Sequence, residues 1–395
     1  MRVLYVQYTN PGAYPPVVRG AELLAQSGAE VTLLGVRVAG LDALRVNERP
    51  GLRACYFPSD RGGSGIKARY ARYAAWATRE AMRWRPDWVY ASDVLAAPIA
   101  RAIAALTGAR VVYHEHDAPA VEHPSWALRQ CLAARRRLVC DAQVVVAPNA
   151  ERAARLAAFG GGRSVVTAWN CPRRPTGRAP MPRPDHGPLR LAYRGSINAE
   201  RFPPAIIEAM SRDGNVVVEV VGYETEGSRG YRDQLVALAT KLGVPERLHV
   251  RGTLPAPHAD AVVERCHVGL ALMPMTSRDE NMRSMAGASN KVFEYLAAGA
   301  VPLVSDLPEW RAEFVEPGYA IACDPREPAS ISDVLAWADR NRADLRAIAA
   351  RGWERLRADW NYETQFAPVL TAIWGAASSG TSVEAGARRE VQCVS

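Results

Sequence analysis

The sequence predicts an α/β protein of two Rossmann-like domains. Three observations carry this. Strand-sized apolar runs alternate with amphipathic helical stretches from the first residues, a rhythm that implies parallel strands joined by right-handed crossovers. A segment at 171–188, CPRRPTGRAPMPRPDHGP, holds six prolines and no apolar periodicity, and reads as a linker. After it the same alternation restarts, and 395 residues suit two domains of roughly 150–200 residues each.

In chain order, RVLYVQY (2–8) reads as a buried strand, PVVRGAELLAQSG (16–28) as a helix ending at Gly28, and EVTLLGV (30–36) as the next strand. DWVYAS (87–92) is a strand, followed by a helix from Asp93 to about Thr107 and a strand in RVVYHEHD (110–117). SWALRQCLAARRRLVC (125–140) is an amphipathic helix, and NAERAARLAAF (149–159) is a helix between the strands in AQVVVAP and SVVTAWN. Beyond the linker come strands in LRLAYRG (189–195), NVVVEVVG (215–222), LHVRG and HVGLALMP (267–274), with helices at 202–212, 230–242 and 257–265. A helical stretch from Pro328 to about Gly375 closes the fold. It breaks at DWNYE, and the piece after the break presents Phe366, Leu370, Ile373 and Trp374 at helical spacing. These readings place a first domain at 1–178, completed by a helix at about 361–376, a second at 188–357, and a disordered tail at 377–395. Two such domains leave a cleft at the carboxyl ends of both sheets, so functional residues should follow strands.

The net charge of +8 admits nucleic acid, an anionic membrane or an anionic small molecule as partner. The basic residues are not interleaved with stacking aromatics, which argues against nucleic acid. The densest cluster, Arg135–Arg137, with Arg129, leaves either an ordinary solvated helix face or a peripheral membrane contact. No run reaches transmembrane length and the start reads as a strand, not a signal peptide; with seven scattered cysteines, taken as reduced, this predicts a cytoplasmic protein. No GxGxxG follows a strand, which disfavours a dinucleotide dehydrogenase. Histidines at i and i+2, without further metal-ligand spacing, predict no metal site.

SNKVFEYLAAGAVPLVSD (289–306) contains one of three lysines in the chain, against 46 arginines. Ser289 and Asn290 are good N-cap residues, and Gly299 ends the helix. Lys291 on the first turn suits a diphosphate. Glu294 suits a vicinal diol such as ribose, because a carboxylate accepts two hydrogen bonds at once. The plain alternative is an i to i+3 surface ion pair.

This segment resembles the donor-binding helix of GT-B glycosyltransferases, particularly those similar to glycosyltransferase family four. These are retaining enzymes that use nucleotide sugars. The resemblance spans nearly the whole chain and is strongest from Leu189 to Asp306. It implies that Glu294 holds the donor ribose and that Lys291 lies near the diphosphate. Gly195 and Arg201, in AYRGSINAERFPPAI (192–206), match a glycine and a basic residue that grip the diphosphate in similar enzymes, with Arg194 as a further candidate. Gly222 and Tyr223 end a strand facing the same ligand, and Thr253 and Leu254 should pass beside the base. A second family glutamate is replaced by Ala286, leaving Asn281 or the amides around Gly287 to meet the donor sugar. In the first domain the resemblance implies a histidine at the reacting end, His116 in preference to His114. It places acceptor contacts at Asn10, Gly12 and Tyr14, with Asp93 at another strand end, unless Asp93 is simply an N-cap.

The catalytic set is therefore His116, Arg201 and Lys291, with no cofactor beyond a UDP, GDP or TDP sugar as substrate. The implied reaction is metal-independent transfer of a sugar to an acceptor hydroxyl or thiol of a small molecule or lipid, with retention. Natural-product and cell-envelope glycosides are both compatible. Competing readings are a GT-B-fold nucleotide-sugar epimerase and a non-catalytic nucleotide-binding protein. Oligomeric state is not specified.

Overall fold

The computed structural model describes residues 1–38, 44–58, 65–119 and 124–378. The chain divides into two units, one formed by Met1–Arg173 with Tyr362–Ser395 and the other by Arg174–Asn361. The proline-rich segment expected as a linker therefore lies in the second unit from Arg174 onward. The tail expected beyond the last helix lies outside the described residues.

Unit 1 contains β1 (Arg2–Val6), α1 (Pro15–Gln26), β2 (Glu30–Val36), β3 (Leu52–Phe57), α2 (Ile66–Trp84), β4 (Trp88–Ser92), α3 (Ala97–Thr107), β5 (Arg110–His114), α4 (Trp126–Asp141), β6 (Val144–Ala147), α5 (Ala150–Phe159) and β7 (Val166–Thr167). Its seven strands are parallel in the order β3-β2-β1-β4-β5-β6-β7. The strands are near-continuous apolar runs because helices cover both faces. On one face Tyr73, Ala77, Ile99, Ile103, Leu138 and Leu156 pack on the sheet. On the other are Val17, Ala21 and Leu24 from α1, with Tyr362, Phe366, Val369 and Ile373. Those last four come from the final helix of the chain, α14 (Tyr362–Ser378). β3 and α2 have no counterpart in the sequence reading: LRACYF mixes arginine and cysteine into a short strand, which masks its apolar pattern.

Unit 2 contains β8 (Leu189–Ser196), α6 (Ala205–Arg212), β9 (Val216–Tyr223), α7 (Tyr231–Lys241), β10 (Leu248–Gly252), α8 (Ala256–Val263), β11 (Val268–Ala271), α9 (Glu280–Arg283), α10 (Lys291–Ala297), β12 (Val301–Ser305), α11 (Pro308–Trp310), β13 (Ile321–Cys323), α12 (Pro328–Arg340) and α13 (Arg342–Ala358). The strand order is β10-β9-β8-β11-β12-β13, again parallel. Asn361 closes α13, its side-chain amide donating to the Leu356 carbonyl at 2.9 Å. The chain then enters α14 (Tyr362–Ser378), which packs within unit 1.

Each sheet reverses its strand order once, between β1 and β4 in unit 1 and between β8 and β11 in unit 2. In open α/β sheets the carboxyl ends beside such a reversal form a ligand crevice.

Candidate active site

In unit 2 the carboxyl end of β8 is shaped by two glycines. Gly195 has φ +135°, a conformation that side chains disfavour, and a Cβ there would lie 2.3 Å from Lys291 Nζ. Gly222 is its register partner on β9, and a Cβ there would lie 1.8 Å from the Gly195 carbonyl oxygen. Gly222 is thus required by the neighbouring strand end. Tyr223 beyond it is exposed. Thr253 and Leu254 lie in the loop between β10 and α8, Thr253 exposed and Leu254 half-buried.

Lys291 opens α10 and is buried. Its ammonium donates to the Arg194 carbonyl at 2.5 Å and stands 4.6 Å from the centre of the Tyr193 ring. Burial first, then Arg201, pulls its pKa down to about 7, and Glu294 offsets part of this. The Arg201 guanidinium points to Met282 Sδ at 3.5 Å. Glu294 is one turn into α10, where its Oε1 accepts from Asn290 Nδ2 at 2.6 Å and its Oε2 lies 4.0 Å from Arg194 Nη1. Asn290 therefore spends its side chain on Glu294 and makes no side-chain cap; Ser289 Oγ accepts from the Lys291 amide at 3.4 Å. Arg194 also pairs with Asp260 at 2.5 Å, and its amide donates to the Tyr295 hydroxyl at 3.0 Å. At Ala286 the backbone amide is taken by Glu309 at 2.8 Å. Asn281 is half-buried on α9, and Gly287 has φ +74°.

The sequence reading did not single out Tyr193, Asp260, Tyr295 or Glu309. Tyr193, two residues before Gly195 on a strand, was the one with a readable signal: a large aromatic on the face that Gly195 continues.

In unit 1 the corresponding strand ends carry buried, neutral groups. β4 and β5 are in register at Ser92 and His114. His114 Nδ1 shares a hydrogen bond with the Tyr90 hydroxyl at 2.7 Å. The His116 ring lies 3.9 Å from the His114 ring, centre to centre, and 6.2 Å from that of Tyr14. Neither ring nitrogen of His116 has a hydrogen-bond partner among the described residues, nor has His114 Nε2. Burial lowers both histidines, His116 to about 3 with Arg152 adding to the effect. Both rings are therefore neutral at physiological pH, each with one N–H and one lone pair.

Asp93 is not the cap of α3, whose N-cap is Ala96. It has φ +66°, and its Oδ1 accepts from the amides of His116 and Asp117 at 2.7 and 3.2 Å. Burial and then Asp117 raise its pKa to about 8. The buried Arg152 fastens the same loop, donating to the His116 carbonyl at 2.5 Å. Asn10 caps the short turn Pro11–Ala13, its Oδ1 accepting from the Gly12 amide at 3.0 Å. Gly12 is needed because a Cβ would lie 2.2 Å from the Leu44 carbonyl oxygen.

Among the described residues no cluster of His, Cys, Asp and Glu could hold a metal, and no helix is long and apolar enough to cross a membrane. Arg135 is committed to Glu115 by two contacts at 2.5 and 2.7 Å, so it drops out of the basic face proposed for α4. Among the described residues, Cys55, Cys131, Cys171, Cys266 and Cys323 are free thiols.

Two units, each built on a parallel α/β sheet, fit the GT-B fold, and comparison with known proteins identifies the class as the glycosyltransferases of that fold. Residues 15–172 match a model of the glycosyl transferase 4-like domain and residues 201–371 match one described as glycosyl transferase-like. The chain belongs to the GT-B glycosyltransferases, an enzyme family. Sucrose-phosphate synthase from Thermosynechococcus elongatus superposes with a TM-score of 0.73 at 12% identity, covering 96% of this chain and all of that one. HepE from Anabaena in complex with UDP-glucose gives 0.68 at 15% identity, covering 97% and 100%. An α,α-trehalose-phosphate synthase (UDP-forming) from Burkholderia vietnamiensis gives 0.64 at 16%, covering 95% and 100%. A search of curated proteins returned no match.

Proposed function

We propose that the protein transfers a sugar from a nucleoside-diphosphate sugar to an acceptor hydroxyl or thiol, with retention of anomeric configuration and without a metal ion. The observation that carries this is the convergence of Lys291, Arg194 and Arg201 beside Gly195, with the Glu294 carboxylate one turn further along α10. Three cations at a strand end suit a diphosphate leaving group, whose developing charge they would stabilise in the transition state. A carboxylate beside them suits a ribose diol. Solved relatives in complex with UDP and with UDP-glucose support a uridine donor. The acceptor is assigned to unit 1, with His116 as the group nearest the chemistry. Both natural-product and cell-envelope glycosides remain compatible acceptor classes.

Thermal shift across UDP-, GDP- and TDP-sugars tests the reading, because a ligand that binds only the native state raises the melting point. One nucleotide series should stabilise the wild type. Glu294→Ala should weaken that series by about 1.5–3 kcal/mol, some ten- to hundredfold, with an unchanged melting point in the absence of ligand. Undiminished donor affinity in folded Glu294→Ala would remove the central assignment.

A further inference from the structure

The sheet of unit 2 has one unusual face. Leu189, Leu191, Val216, Val218 and Leu248 point to one side of β8, β9 and β10, into a core with α6, α7 and α12. Residues of the opposite parity should be apolar too, since both faces of a parallel sheet are normally covered. Instead they include Arg190, Glu219, His249 and Arg251. Glu219 and His249 are register partners, and Glu219 is only 5% exposed.

The Glu219 carboxylate is shared three ways. Arg251 Nε donates to it at 2.6 Å, His249 Nδ1 lies 2.9 Å away, and Arg190 Nη1 is at 3.6 Å. One carboxylate cannot neutralise these partners together. The side chains of Arg190 and Arg251 stay 40% and 45% exposed. Both open into a cavity of about 660 Å³, within the size range of small-molecule sites. Four arginines and two glutamates line this cavity, leaving it cationic. Its other wall is apolar, built by Pro182, Pro184 and Pro188 of the linker with Val262 of α8. The linker wall is pinned in place: Arg183 donates to the Cys266 carbonyl at 3.0 Å, and a His267 ring nitrogen lies 3.2 Å from the Pro184 carbonyl. Arg190 precedes Gly195 by five residues on β8, roughly 16 Å of extended strand. The cavity is thus separate from the Lys291 cluster.

We propose that this cavity is a second ligand site, which takes a small organic anion through the forks of Arg190 and Arg251. Planar guanidinium groups bind phosphate and carboxylate alike in bidentate geometry, and the proline wall would cover an apolar body. Arg265 on the exposed rim adds attraction for the same charge.

The test is calorimetric titration of the full chain with inorganic phosphate and, separately, with citrate. Four proteins are compared: wild type, Arg190→Gln/Arg265→Glu, Arg265→Glu and Arg201→Ala. Arg265 is exposed, so the single variant Arg265→Glu serves as a control that keeps the fold. The expected result is an anion-binding event that survives in Arg201→Ala, weakens at least tenfold in the double variant and weakens measurably in Arg265→Glu. Either anion behaving this way supports the site. Binding that disappears in Arg201→Ala and is untouched by the cavity substitutions, or no binding of either anion, overturns it.

Discussion

The two units solve the same topological problem with opposite chemistry. At the carboxyl ends of unit 2, Arg194 pairs with Asp260, Glu294 accepts from Asn290, and Lys291, buried near Arg201, donates to a backbone carbonyl with its pKa pulled down to about 7. At the equivalent ends of unit 1, His114 and His116 are neutral, in close ring contact and short of partners, and the carboxyl of Asp93 is pushed towards its neutral form. The units also differ in how they are built. Unit 2 is one continuous stretch, whereas unit 1 needs a helix that arrives after unit 2 is complete. A fixed anion is met best by fixed charge, while a reacting hydroxyl or thiol needs groups that can exchange a proton without paying to desolvate an ion.

The difference in construction gives the largest expected effect. Tyr362, Phe366, Val369 and Ile373 are fully buried in unit 1. Each large apolar side chain contributes about 1.5–3 kcal/mol on burial, so losing all four removes much of a stability of roughly 5–15 kcal/mol. A chain ending at 357 should lose cooperative unfolding of unit 1 and all transferase activity, while one ending at 378 keeps both. Calorimetry resolving the two units checks this, and a soluble, active 1–357 chain would show that unit 1 is complete without α14.

Next comes the histidine pair. His116→Ala should lower kcat by about 10²-fold, the low end of what a proton-transfer group supplies, and leave the affinity for nucleotide sugar within twofold. With a pKa near 3, His116 stays neutral from pH 5 to 9, so it should add no inflection to the kcat profile in that window. A larger loss in His114→Ala would move the reacting end two residues back along β5.

The charged cluster predicts the opposite pH behaviour. In the empty protein Lys291 titrates near 7 because burial and Arg201 disfavour its charge. A bound diphosphate diester carries no group that titrates near neutrality, and its negative charge favours protonated Lys291. Donor affinity should therefore fall as pH rises from 6 to 9, by about tenfold, the worth of one pKa unit. Lys291→Met should bind more weakly and show a flat profile. A flat profile in the wild type would mean that Lys291 keeps its proton throughout.

The sequence made the charged half of this comparison legible and left the neutral half largely hidden. Lys291 and Glu294 stand out because they interrupt an apolar helix, and Gly195 because it ends a strand. The reason for Gly222 could not be read, since it depends on the Gly195 carbonyl across the register. The Tyr90–His114 and Asp93–His116 contacts likewise join residues 24 and 23 positions apart. Periodicity gives each strand but not its partner, so such pairs stay invisible until the β4–β5 register is known. Glu219 was visible as a charge inside VVVEVVG, yet its three basic partners lie on neighbouring strands.

Asp93 offers the finest test of the contrast, because it asks whether a carboxyl in unit 1 is neutral. Its folded pKa is raised to about 8 by burial and by Asp117, against the pull of two amide donors; the unfolded value is about 3.9. Between these values the native state binds more protons than the unfolded chain. The stabilisation is thus fully present below about pH 4 and is lost as pH rises through 8. Asp93→Asn keeps an oxygen acceptor for the His116 and Asp117 amides, and asparagine tolerates the φ of +66°. It should fold, and its advantage over the wild type in urea unfolding should widen from pH 5 to pH 8.5 by at least about 1 kcal/mol, the worth of one pKa unit. The comparison between variants cancels every other titrating group, Lys291 included. If the two proteins track each other across the window, the amide donors have kept Asp93 ionised, and the loop carrying His116 is organised by a buried anion after all.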